Sequence, residues 1–122
     1  MSTGAPAIQV EKKGDVVILR FRVDSITAGE YLSRAYEELR ELARSGCGNL
    51  LFSLDNVEFL SSAGIAAFVW LNQQAKESGG RFKLSEVRPD VLEALRIGHI
   101  DRALDIYDTD EDALAAFAAE AS

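Results

Sequence analysis

Between Asn49 and Leu71 the chain reads NLLFSLDNVEFLSSAGIAAFVWL, and this stretch limits the possible folds more than any other. Leu50-Leu51-Phe52, continuing through Ser53 to Leu54, is a short run with apolar groups on consecutive positions, which suits a strand buried on both faces rather than one wetted on alternate residues. Asp55 and a connector from Asn56 to Leu60 follow. After Ser61-Ser62-Ala63-Gly64 comes an apolar run too long for a second strand, so a helix from about Ser62 to Ser78 is predicted. Ser61 or Ser62 is placed to be its N-cap, with a hydroxyl oxygen accepting from the first free N–H groups. A strand covered on both faces and feeding directly into a helix is the unit of a parallel sheet, because the return connection must lie over the sheet.

The rest of the chain repeats that unit. Ile8, Val10 and Lys12 alternate with polar neighbours as an edge strand does, and Lys13-Gly14-Asp15 supplies a hairpin turn into the strand Val16 to Val23. Thr27 and Glu30 have the spacing of a capping box, followed by Leu32, Ala35, Leu39 and Leu42 at helical intervals and a stop at Ser45-Gly46. Gly79-Gly80 ends the helix of the opening stretch, and Arg81 to Leu84 reads as a strand. Pro89 starts a helix with Val91, Leu92 and Leu95 inward and Gly98 as its stop. Leu104 to Tyr107 is a short strand, and Thr109 caps a last helix with the face Leu114, Phe117 and Ala118. The order β-β-α-β-α-β-α-β-α predicts an α/β domain, a mixed and largely parallel sheet of about five strands with helices packed against it. The 122 residues form a single domain on this reading, with residues 1–6 as a loose tail.

Composition removes several functional classes. A net charge of −7 disfavours nucleic-acid backbones and anionic membranes. No apolar run approaches a bilayer span, no secretory signal is visible, and the lone Cys47 suits a reducing, cytoplasmic setting. One histidine, His99, and one cysteine cannot build an ordinary zinc site, so neither metal nor cofactor is expected. His99 lies in Gly98-His99-Ile100-Asp101 with no G-x-S-x-G elbow, and reads as a loop residue at a chain reversal rather than a catalytic base. Ser45-Gly46-Cys47-Gly48 lacks the G-K-[ST] ending of a phosphate loop and reads as a turn. No catalytic residue is assigned.

What remains is a surface. Asp24 and Asp55 each follow an apolar strand and can face the edge where Ser61 and Ser62 open the helix. A phosphate there would add about −1.5 to −2 charge beside free N–H donors, which the helix end tolerates and a docked partner need not. Ala63 through Leu71 leaves almost no polar side in the first turns of that helix. Ile65, Phe68 and Val69 are expected inward, with Ala66 or Trp70 part-exposed toward a partner and Gly64 permitting close backbone approach.

In these features the chain resembles the STAS domain family, of the anti-sigma factor antagonist type. The resemblance rests on Leu50 to Asp55, Val57, Phe59 and Ser61-Ser62-Ala63-Gly64-Ile65, then Gly80 to Leu84, Val91 to Leu95, Gly98, Ile106-Tyr107 and Asp112-Ala113-Leu114. It implies a non-enzymatic protein that binds an anti-sigma factor serine kinase when unmodified, is released by phosphorylation of the motif serine and is restored by a phosphatase. That serine corresponds to Ser62, with Ser61 the alternative, and Asp24, Asp55, Ser61, Ser62, Ala63, Gly64, Ala66 and Trp70 would form the partner surface. Ser61 stands where such antagonists most often have Asp, and Ala63 where they often have Ser. The alternatives to weigh are a soluble accessory subunit of a lipid or small-molecule ABC transporter and a scaffold subunit of a signalling assembly.

Overall fold

The computed structural model describes residues 6–46 and 48–121. Cys47 and the tail residues 1–5, both given readings above, lie outside the described residues.

Five strands form the main sheet: β1 (Ile8–Lys13), β2 (Val16–Phe21), β4 (Asn49–Ser53), β6 (Phe82–Ser85) and β7 (Asp105–Tyr107), in the order β1-β2-β4-β6-β7. β1 is antiparallel to β2, and every other pairing is parallel. Two short strands, β3 (Ser25–Ile26) and β5 (Phe59–Leu60), make a separate parallel pair. The helices are α1 (Glu30–Arg44), α2 (Ser62–Glu77), α3 (Pro89–Ile97) and α4 (Asp110–Ala121), with a 3-10 turn at Ile100–Arg102. The mixed, largely parallel five-strand sheet is thus present.

β4 explains the layering. Leu50, Phe52 and Leu54 point to one side and join the large core with Leu32, Ala35 and Leu39 of α1, Phe68, Leu71 and Ala75 of α2, and Val91 and Leu95 of α3. Leu51 points to the other side, where Val16, Ile18, Ala113 and Phe117 make a smaller core under α4. A strand between two such layers cannot afford polar alternation, which is why its sequence is a continuous apolar run. Phe52 and Phe68 meet edge-on with ring centroids 5.2 Å apart, tying α2 to the middle of the sheet.

Under α4 the charges are partnered. The ammonium of Lys83, fully buried, donates to Asp105 at 3.2 Å, to Glu120 at 3.0 Å and to the Tyr107 hydroxyl at 3.4 Å, and lies 5.0 Å from the Phe117 ring centroid. Burial alone would lower its pKa, but the hydrogen bonds to Glu120, Asp105 and Tyr107 outweigh that and hold it above the ordinary lysine value. At the other end of α4, Arg20 donates to Asp110 at 2.9 Å, and the Ser85 hydroxyl donates to the same carboxylate at 2.5 Å.

Three local expectations change. The capping box of Thr27 and Glu30 does not form: Glu30 is the first residue of α1, and Gly29 precedes it at φ 148° with no side-chain cap. Ser25–Ile26 is drawn into pairing with Phe59–Leu60, and only glycine readily takes the backbone angle that then turns the chain into the helix. β2 stops at Phe21 rather than Val23, and the backbone N–H of Arg22 donates to the Tyr31 hydroxyl at 3.0 Å instead of to a strand. In α4 Phe117 is buried and Leu114 packs beside it as expected, but the third inward residue is Ala113, with Ala118 exposed.

Candidate functional site

The helix start at Ser61-Ser62 is fixed from three directions. The backbone carbonyl of Asp24 accepts from the N–H groups of Glu58 at 2.7 Å and Phe59 at 3.2 Å, and the Ile26 carbonyl accepts from the Ser61 N–H at 2.8 Å. The chain between β2 and α1 therefore positions the segment that carries the serines. Ser61 has extended backbone angles, and its hydroxyl accepts from the Gly64 N–H at 3.3 Å, so Ser61 is the N-cap. Its carbonyl accepts from the Ile65 N–H at 3.0 Å. Gly64 is buried, and a Cβ there would fall 2.6 Å from Leu60 Cδ1 and 3.0 Å from Ile26 Cγ2. Gly64 thus lets α2 press against the β3–β5 pair.

Of the two cap candidates, Ser62 is the one left over. It is the first residue of α2 and exposed, and its hydroxyl has no hydrogen-bond partner among the described residues. α2 also carries no acidic residue in its first turn, whereas α1, α3 and α4 all do. The positive end of this helix is not occupied by a carboxylate of its own.

Around Ser62 the exposed surface combines acids with apolar groups. Asp24, Asp55 and Glu58 are exposed. Asp55 leans to the α4 side, its carboxylate 3.9 Å from the Arg20 guanidinium. Ala63 is half-buried and Ala66 exposed. Trp70 is half-buried, edge-on to Tyr36 of α1 with ring centroids 6.0 Å apart. Two large apolar side chains were not picked out from the sequence as surface groups. Phe59 is 52% exposed, and Val69, expected inward, is 41% exposed. On a helix, positions 62, 66 and 69 share one face, so Val69 falls on the stripe of Ser62 and Ala66 while Phe68 and Leu71 take the core. An all-apolar helix gives no pattern from which to choose that face. Phe59 could have been noticed as an aromatic in a polar connector, between Glu58 and the serines.

His99 stands at a left-handed turn, φ 59°, between α3 and the 3-10 turn. Among the described residues no group of three His, Cys, Asp or Glu side chains is placed to hold a metal ion, and no helix is long and apolar enough to cross a membrane.

The family model of the STAS domain matches residues 7–113. The chain belongs to the STAS domain family. A relative from Paenibacillus polymyxa, an anti-sigma F factor antagonist, is 25% identical over 109 residues, covering 88% of this chain and 91% of its own. Among solved structures, an anti-sigma-factor antagonist (STAS) domain protein from Planctomyces limnophilus superposes with TM-score 0.76 at 25% identity, covering 93% of this chain and 99% of that one. The Bacillus anti-sigma factor antagonist SpoIIAA, 14% identical, shares the fold in both its unphosphorylated and phosphorylated forms, with TM-scores of 0.67 and 0.68 over 90% of this chain and 96% and 98% of those chains. The STAS frame of this chain carries its serine motif at the start of α2, next to the β3–β5 pair.

Proposed function

We propose that this STAS domain is an anti-sigma factor antagonist switched at Ser62. Unmodified, it docks an anti-sigma factor that is also a serine kinase; phosphate on Ser62 releases it, and a phosphatase restores it. The observation that carries this reading is the division of labour between the serines: Ser61 spends its hydroxyl on the cap, and Ser62 presents a free one beside exposed Phe59, Ala66 and Val69. A dianionic group at that position meets the positive end of α2 without disturbing the helix, but puts charge where an apolar partner surface would have to desolvate it. Asp24 and Glu58, exposed on the paired segments ahead of the serines, add repulsion that a bound partner would not screen as water does. The antagonist names of the relatives support the reading, as does a family fold known in a phosphorylated form.

The test pairs chemistry with binding. Incubation with the anti-sigma factor kinase and ATP should add one phosphate, mapped by mass spectrometry to Ser62 and absent in Ser62→Ala. Ser62→Ala should hold the kinase persistently, and Ser62→Asp should not. If the chain gains no mass and Ser62→Asp binds normally, the proposal fails; a phosphate found on Ser61 would move the switch by one residue.

A further inference from the structure

Past the serine, α2 runs beside α1, and the two helices leave a groove of about 220 Å³ lined by Arg40, Ala43, Arg44, Trp70 and Gln74. Its chemistry differs from the rest of this acidic chain. The polar residue types that line it can all donate hydrogen bonds: two arginines, a tryptophan and a glutamine. The Arg40 and Arg44 side chains are 55% and 74% exposed, and among the described residues their ion pairs stay within α1, Arg40 to Glu37 at 3.6 Å and Arg44 to Glu41 at 3.3 Å. Those glutamates do not line the groove. Beside the groove, Arg40 lies 5.9 Å over the Tyr36 ring, and Tyr36 stands edge-on to Trp70. Tryptophan, tyrosine and arginine together around a shallow recess are the residue types on which protein interfaces concentrate their binding energy. Ala43 keeps one wall low, so a backbone can come close.

We infer that the α1–α2 groove at Trp70 is a docking site for an acidic segment of a protein partner, whose carboxylates pair with Arg40 and Arg44 while an apolar neighbour lies on Trp70. Paired guanidinium groups match carboxylates in forked geometry, and surface ion pairs inside their helix exchange readily for that arrangement. The site deepens the docking reading above, on which it rests for the partner being a protein: Trp70 stands about two turns along α2 from Ser62. The face then carries exposed carboxylates near the serine and two guanidinium groups, with no carboxylate in the lining, at the groove. A partner crossing both must be basic at one end and acidic at the other, which fixes its orientation as well as its identity.

Trp70 is the only tryptophan, so one indole signal reports the groove. The probe is a capped ten-residue peptide of alternating Glu and Leu, titrated while the indole N–H resonance and tryptophan fluorescence are followed. A saturable shift is expected, with no shift for the peptide carrying Lys in place of Glu, and at least tenfold weaker binding in Arg40→Gln/Arg44→Gln, a pair that keeps long polar stems and whose folding is checked by circular dichroism. Equal response to both peptides, or undiminished binding in the double variant, would overturn the inference. So would a shift by single-stranded oligo-dT in place of the Glu peptide. Ser62→Asp should leave the peptide titration unchanged, which separates the two readings. If Ser62→Asp still binds the kinase, the switch fails and the groove stands; if the peptide does not bind while Ser62→Asp releases the kinase, the groove alone fails.

Discussion

Replacing the two serines one at a time should have unequal effects on stability. Ser61→Ala removes the hydroxyl that accepts from the Gly64 N–H and leaves that donor without its cap. Loss of an N-cap costs about 0.5–2 kcal/mol. At 3.3 Å the bond is longer than the usual N–H···O range, which places the cost in the lower half, about 0.5–1 kcal/mol. With an unfolding entropy of about 2.1 cal/mol/K for each of the 122 residues, that corresponds to a fall in Tm of roughly 2–4 °C. Ser62→Ala removes an exposed hydroxyl with no partner and substitutes a better helix former, so its change should stay within about 0.5 kcal/mol of zero. Urea unfolding at 25 °C reads both, with the slope m unchanged if only the native contact is affected. The assignment of Ser61 as structural and Ser62 as free is refuted if Ser62→Ala proves the more destabilising.

Three other outcomes test the frame around the site. Gly80→Ala should destabilise by about 3 kcal/mol, since a Cβ at Gly80 would lie 1.9 Å from the Gly48 carbonyl oxygen, backbone that cannot rotate away; a thermal-melt loss below about 1 kcal/mol would contradict the packing of the loops before β4 and β6. Because the folded pKa of Lys83 is raised, its contribution is fully present below the unfolded lysine value and is lost as pH rises through the folded one. The urea midpoint should therefore drop above about pH 10.4, and Lys83→Met should flatten that drop and destabilise the domain at pH 7, since it leaves the carboxylates of Asp105 and Glu120 without the ammonium that donates to them. Glu38 accepts from the N–H groups of Ala7 at 2.7 Å and Ile8 at 2.8 Å, so Glu38→Gln, with one acceptor oxygen, should cost about 1.5 kcal/mol and speed amide exchange at those two positions; unchanged exchange would mean that α1 does not hold the start of β1.

The fold was legible where burial dictates the alphabet. β4 had to be central because Leu50 to Leu54 has no wet side, and the α1 stripe of Leu32, Ala35 and Leu39 is buried as its spacing demands. What escaped were features without a period. Two-residue strands such as β3 and β5 show no alternation, and with them in place the cap of α1 is Gly29 rather than Thr27. In the site, the motif located the serines, but two adjacent hydroxyls are equivalent until the backbone angles are known; only the turn at Ser61 separates cap from free group. Val69 was misplaced for the reason that Trp70 remained open: a helix apolar on every side leaves the choice of buried face to the neighbours, here α1 and the sheet.

The paired Asp24–Ile26 and Glu58–Ser61 segments also bear on how fast such a switch can work. With Ser61 hydrogen-bonded to Ile26 and Gly64 packed closely against Leu60, the helix start is tied to the β3–β5 pair by both backbone and packing. A charge added at Ser62 would then act without any refolding step: it alters what the surface offers and leaves the shape alone. Release would be limited by the partner's own departure, and the free modified domain would crystallise, melt and exchange its amides much as the unmodified one does. A stiff hinge-free platform turns a covalent mark into a change of affinity at no cost in conformational time.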